Sequence, residues 1–151
     1  MRVYEIKRDA VVVNQNALEK DEALEYIIDL VCSVDGIDDC DEISKLIIDR
    51  EARLSTGIGL EIAVPHCRVD SVHRIVVGAM LVPGGVDYNA VDGLPVKLII
   101  LLISPADDIR GHLACLSSIS HAVSDESVRV NLLGSKTREE LYENIIRYIK
   151  T

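Results

Sequence analysis

Histidine is the side chain best suited to nucleophilic or proton-transfer chemistry near neutral pH, and the chain contains four, His66, His73, His112 and His121. His66 follows Val64-Pro65, where a strand is expected to have just stopped, an edge position open to partners. Upstream, Thr56-Gly57-Ile58-Gly59 reads as a loop whose glycines permit close backbone approach and whose amides can face an anion. No Lys-Ser/Thr follows it, and its spacing fits neither a nucleotide P-loop nor a G-x-G-x-x-G fingerprint, so nucleotide binding gains no support. His112 falls in the first turn of a helix that Asp108 can cap, where the helix dipole favours an approaching anion and disfavours a protonated imidazole. Without further context it reads as a surface histidine. Arg50 stands near the C-terminal end of another helix, where a cation is ordinarily welcome. His121 lies nine residues beyond His112, two and a half turns on, and so faces roughly the opposite side. A zinc site from His66, Cys67 and His112 is chemically conceivable, but adjacent His-Cys is an awkward ligand pair and no fourth ligand is suggested.

The elements that must position these groups follow from periodicity. Ala10 to Val13 is a short β-branched run, followed by an amphipathic helix carrying Ala23, Leu24, Ile27, Ile28 and Val31 and broken at Gly36. Asp38, Asp39 and Asp41 place negative charge at the start of a second helix, with Ile43, Leu46 and Ile47 on one face and an end near Ser55. Ile62-Ala63-Val64 reads as a short strand stopped by Pro65, and Arg74 to Val82 as a longer one. Pro83-Gly84-Gly85 reads as a turn and Asn89 to Pro95 as a loop. Val96 to Ile103, apolar at nearly every position, must be a central strand buried on both faces. A helix with Leu113, Leu116, Ile119 and Val123 follows, then a short segment to Leu133, and a last helix opened by the capping box Thr137-x-x-Glu140. A doubly buried strand needs helices on both faces, so the expected fold is α/β, a three-layer α/β/α sandwich around a mixed sheet, formed as one domain over residues 1–151.

Composition narrows the function. Lys and Arg number 16 against 25 Asp and Glu, a net charge of −9, which gives no reason to approach a nucleic-acid backbone or an anionic membrane. There is no Phe or Trp to build a stacking platform. The longest apolar run, Leu98 to Ile103, is far short of the roughly 20 residues of a membrane helix, no signal peptide is evident, and the four cysteines form no C-x-x-C pair. The chain therefore reads as a cytoplasmic protein of a reducing compartment.

Glu51-x6-Ile58-Gly59-x2-Ile62-Ala63-Val64-Pro65-His66-Cys67 resembles the phosphorylation-site signature of the fructose/mannitol-type (type 2) IIA domains of the bacterial phosphoenolpyruvate-dependent phosphotransferase system. Every fixed element of that pattern is present across 17 residues. The likeness continues through Asn89-Ala90-Val91-Asp92-Gly93-Leu94-Pro95-Val96 and from Ser104-Pro105 to His112-Leu113, and Cys67 stands where relatives mostly have Gly. The resemblance implies a phosphocarrier in which His66 accepts a phosphoryl group from the small phosphocarrier protein HPr or a paralogue. His112 then holds or orients that group, and Arg50 faces the phosphohistidine, with Thr56, Gly57 and Gly59 contributing to a phosphate-binding loop. The acceptor is a IIB domain of a sugar permease in one branch of the family and a regulatory target protein in its nitrogen-regulatory branch. Neither a metal nor an organic cofactor is implied. The rival expectation is a non-catalytic adaptor, an anion-binding regulatory module that keeps the fold, against which the joint presence of His66, Arg50 and His112 argues.

Overall fold

The computed structural model describes residues 3–150. Its elements, in chain order, are β1 (Tyr4–Val13), α1 (Lys20–Asp35), α2 (Cys40–Arg53), β2 (Gly57–Gly59), β3 (Ile62–Ala63), β4 (His66–Val69), β5 (Ile75–Val86), β6 (Val96–Pro105), α3 (Ile109–Ser124), α4 (Glu126–Leu133) and α5 (Arg138–Tyr148). The strands form one sheet in the order β1-β5-β6-β3-β2, with β4 pairing β6 further along the edge that β3 occupies. β1 is parallel to β5, β5 antiparallel to β6, and β3 and β4 parallel to β6, which makes the sheet mixed.

Alternation along β6 sets the layers. Ile99, Leu101 and Ile103 belong to the core built with α1 and α2, whereas Leu98, Ile100 and Leu102 belong to the core built with α3, α4 and α5. A strand with period 2, apolar on both faces, demands this double cover, and the expected three-layer sandwich is what forms. The helices obey their own period. α1 buries Leu24, Ile27, Ile28 and Val31 and stops at Gly36, whose φ of 67° gives the left-handed cap that lets its amide reach the Cys32 carbonyl. α2 buries Ile43, Ile47 and then Glu51, each four residues on, so the apolar stripe carries a carboxylate inward at its end. Among the described residues no helix is long and apolar enough to cross a membrane.

Several local expectations are corrected. Gly57–Gly59 is not loop but strand β2, antiparallel to β3, because the turn between them is held by the Leu60 amide donating to Asp92 at 2.9 Å. Pro83-Gly84-Gly85 is not a turn; it lies within β5 as a register shift between Leu81 and Val86, with Gly85 at a φ of +80°. β1 begins at Tyr4 rather than Ala10. Leu46 and Leu113, assigned to helix core faces, are exposed, and the buried face of α3 runs through His112, Cys115, Ile119, Ala122 and Val123. At α5 only half of the capping box forms: Thr137 accepts from the Glu140 amide, while the Glu140 carboxylate takes the Lys136 amide.

Candidate functional site

Proline has no N–H to give a ladder, yet Pro65 does not end the strand. Ile62 and Ala63 stand opposite Leu98 and Ile99, and the chain resumes with His66 opposite Leu102 in the same offset. The Pro65 carbonyl meanwhile accepts from the Leu102 amide at 3.0 Å. The gap therefore costs one donor and no register, and it places His66 at the first position of β4 instead of beyond a terminated strand. His66 Nδ1 lies 2.8 Å from the Val64 carbonyl oxygen. A carbonyl only accepts, so Nδ1 carries the ring proton and Nε2 keeps the lone pair. Cys67 turns to the opposite face and joins the α1/α2 core, where burial pushes its thiol up to about 12. Neighbouring residues of a strand point to opposite faces, which separates the pair the zinc alternative needs. Among the described residues no group of three or more His, Cys, Asp or Glu is arranged to hold a metal ion.

His112 comes from the other layer. Asp108 caps α3 as expected, accepting from the Gly111 amide at 2.9 Å, and His112 follows in the first turn. It is buried, which corrects the surface reading, and its Nδ1 lies 2.7 Å from the hydroxyl of Ser104, itself fully buried on β6. The His66 and His112 ring centroids are 5.4 Å apart at a tilt of 55°. Burial is the largest influence holding both imidazoles below the usual histidine range; Arg50 adds to it at His66, and His66, Arg68 and Arg50 add to it at His112. These influences favour the neutral ring at both, the state in which one can attack and the other can choose a tautomer.

Two cavities flank His66. One, about 500 Å³, is lined by Leu46, Asp49, Arg50, Arg53, His66, Cys67 and Arg68. The other, about 260 Å³, is lined by Arg50, Leu54, Ser55, Thr56, Ile58, Val64, His66, Leu116 and Ser120. Arg50 and His66 are the residues common to both. The Arg50 side chain makes no hydrogen bond or ion pair among the described residues, leaving its guanidinium available to an anion. Arg53 and Arg68 also line the larger cavity, so with Arg50 it carries three cations against the one carboxylate of Asp49, a local reversal on a chain of net charge −9. Sequence reading missed Arg68, although its position two residues beyond His66 on one strand is the signal that would have found it.

Thr56 and Gly57 take partners within the chain. Thr56 lines the smaller cavity, but its amide donates to both carboxylate oxygens of Glu51 at 3.1 Å and its hydroxyl also donates to Glu51. The Gly57 amide donates to Ser55 Oγ at 3.0 Å, and a Cβ on Gly57 would meet that of Ala90 at 2.7 Å. The glycine serves a close packing of hairpin on loop. Glu51 is the anchor of this region. Its side chain, 2% exposed, also pairs with Lys20 Nζ at 2.9 Å and accepts from the Tyr88 hydroxyl at 3.2 Å, tying α1, α2 and the segment after β5 together beside Arg50. Glu51→Ala strands this set of donors and is expected to cost about 3 kcal/mol, in line with removal of one partner from a buried pair; the shift of a urea-unfolding midpoint measures it.

Comparison with known proteins gives consistent results. The model of the family described as "Phosphoenolpyruvate-dependent sugar phosphotransferase system, EIIA 2" matches residues 6–148. The fructose-specific EIIA component of Haloferax volcanii is 29% identical over 131 residues, 87% of this chain and 85% of that protein. A nitrogen regulatory protein of Pseudomonas aeruginosa is 32% identical over 135 residues, 89% of this chain and 88% of that protein. Among solved structures, the nitrogen regulatory protein IIA-Ntr of Neisseria meningitidis superposes with a TM-score of 0.83 at 25% identity, covering 93% of this chain and 95% of that one.

Proposed function

Since the chain belongs to the EIIA 2 family of the phosphoenolpyruvate-dependent sugar phosphotransferase system, whose EIIA domains are phosphotransferase components, we propose that it is a phosphocarrier that takes its phosphoryl group on Nε2 of His66. The donor is phospho-HPr or a paralogue of HPr. The acceptor is a IIB domain of a fructose/mannitol-type permease or, in a nitrogen-regulatory setting, a target protein that reads the phosphorylation state. On this reading the chain works in the cytoplasm as one IIA domain.

The observation that carries the reading is the geometry at His66: Nδ1 is committed to the Val64 carbonyl, the His112 ring lies 5.4 Å away, and Arg50 lines both flanking cavities. In the transfer step the Nε2 lone pair attacks phosphorus, a P–N bond forms, and the bond to the donor's leaving atom breaks with its electron pair returning to the donor. No proton has to leave His66. The positive charge that develops on its ring is shared with Nδ1–H, which the Val64 oxygen stabilises as acceptor. Arg50 offers fixed charge to the transferring oxygens, and His112 a second donor, so catalysis is positioning and electrostatics. Incubation with phosphoenolpyruvate, enzyme I and HPr from the same organism is expected to give a single acid-labile, base-stable phosphoryl group, read by intact mass. An unmodified mass, under conditions that fully phosphorylate a control IIA domain, overturns the reading.

A further inference from the structure

We propose that Ser104 is a positioning residue for this transfer: its hydroxyl donates to Nδ1 of His112, locking that ring as the Nε2–H tautomer so that it presents a donor to the phosphoryl group. The proposal rests on the phosphocarrier reading for the group that is served, and on the Ser104–His112 pair alone for the tautomer.

Ser104 is fully buried on β6, in register with Arg68, and on the strand face that carries Leu98, Ile100 and Leu102 toward α3. Its Oγ has one hydrogen-bonding partner among the described residues, His112 Nδ1 at 2.7 Å. Two arrangements fit that distance, and they differ in what they leave unmade. If Nδ1–H donated, the serine proton would be buried without an acceptor, a penalty of about 1–3 kcal/mol for an unmet donor. If the hydroxyl donates, its proton is satisfied, and the ring proton moves to Nε2, which is not among the buried polar atoms left without a partner and so is open to solvent or an incoming group. The second arrangement is favoured. It puts the ring's one proton on Nε2, the remaining nitrogen of a ring that sits beside His66. The alternative tautomer would aim a lone pair at an incoming dianion. Ser104 cannot itself be the phosphoryl acceptor, because none of its surface reaches solvent. A hydroxyl that holds a histidine acts like the orienting partner of a metal-bound histidine, whose loss typically costs roughly 10- to 100-fold.

The test has two arms. Long-range ¹H–¹⁵N spectra of the unphosphorylated protein at pH 8 report each histidine's tautomer; the expected result is Nε2–H for His112 in the wild type and loss of that single-tautomer signature in Ser104→Ala. In single-turnover delivery to a cognate acceptor, Ser104→Ala is expected to be slowed roughly 10-fold, the lower end of that range, with the His66 tautomer unchanged. An Nδ1–H signature for wild-type His112 overturns the proposal. So does a Ser104→Ala protein with an unchanged His112 signature, or with unchanged delivery. If His66 never takes a phosphoryl group, the phosphocarrier reading and the positioning role fall together, while the spectra still decide the tautomer.

Discussion

His66→Ala is expected to abolish phosphorylation completely, with no residual slow acceptance. The covalent bond is made by one atom, Nε2, and its neighbours are poorly placed to replace it. The His112 ring 5.4 Å away has Nδ1 engaged by Ser104 and, on the proposed tautomer, its proton on Nε2. Cys67 is buried on the opposite strand face with its thiol pushed up to about 12, and Ser104 is sealed from solvent. The variant should fold, because His66 is half-buried and the only hydrogen bond of its side chain among the described residues is to the Val64 carbonyl. Intact mass after incubation with the donor system checks the result, and retention of a labile phosphoryl group would move the acceptor elsewhere. In the wild type, acceptance requires the neutral ring. Burial lowers the His66 pKa from its ordinary value, so the midpoint of the decline in acceptance rate with falling pH, where the ring takes a second proton, should lie below 6.5. A decline centred above 6.5 would contradict the burial argument.

Arg50→Gln should leave the acceptor chemistry possible and slow it in both directions by roughly 100- to 1000-fold, the usual cost of removing one aimed donor from a charged transition state. Arg50 lines both cavities beside His66 and its own side chain is exposed, with no hydrogen bond or ion pair among the described residues. Stability should therefore be nearly untouched while rate collapses. Rapid-quench measurement of loading and delivery, beside an unfolding midpoint, separates the two. A comparable loss in the midpoint would show that Arg50 holds the end of α2 in place instead of serving the phosphoryl group.

Long apolar patterns were readable and short or mixed ones were not. The strand from Val96 announced itself by being apolar on both faces, and α1 by its spacing. The start of β1 was hidden because Lys7, Arg8 and Asp9 interrupt it; Lys7 finds Asp35 at 3.2 Å, a partner that sequence does not reveal. Pro83-Gly84-Gly85 has the composition of a turn, and only the pairing of Val86 with Val96 shows that β5 continues through it. In α3 the apolar residues Leu113 and Leu116 drew the core face one position away from the true one, which places His112 inside and Leu113 outside at 58% exposure. His112 itself read as a surface histidine from its place in a first helical turn, where the structure buries it. His66 was legible through its signature. Glu51 and Ser104 stood in the quoted motifs, but their roles were not legible, since a carboxylate at the end of an apolar stripe and a serine before a proline both have ordinary readings until their partners are seen.

His66 sits where the two helix layers meet the open edge of the sheet, with Arg50 from α2 on one side and His112 from α3 on the other. The two apolar cores lie on opposite faces of the sheet. A dianion bound covalently between them would act as a clasp, pulled by a guanidinium from one layer and an imidazole N–H from the other. Amide hydrogen exchange should then slow, on phosphorylation, at the last turn of α2 and the first turn of α3 together, while α5 keeps its unmodified rates. The modification would be legible to a partner as stiffness at a seam, beyond any change in local charge.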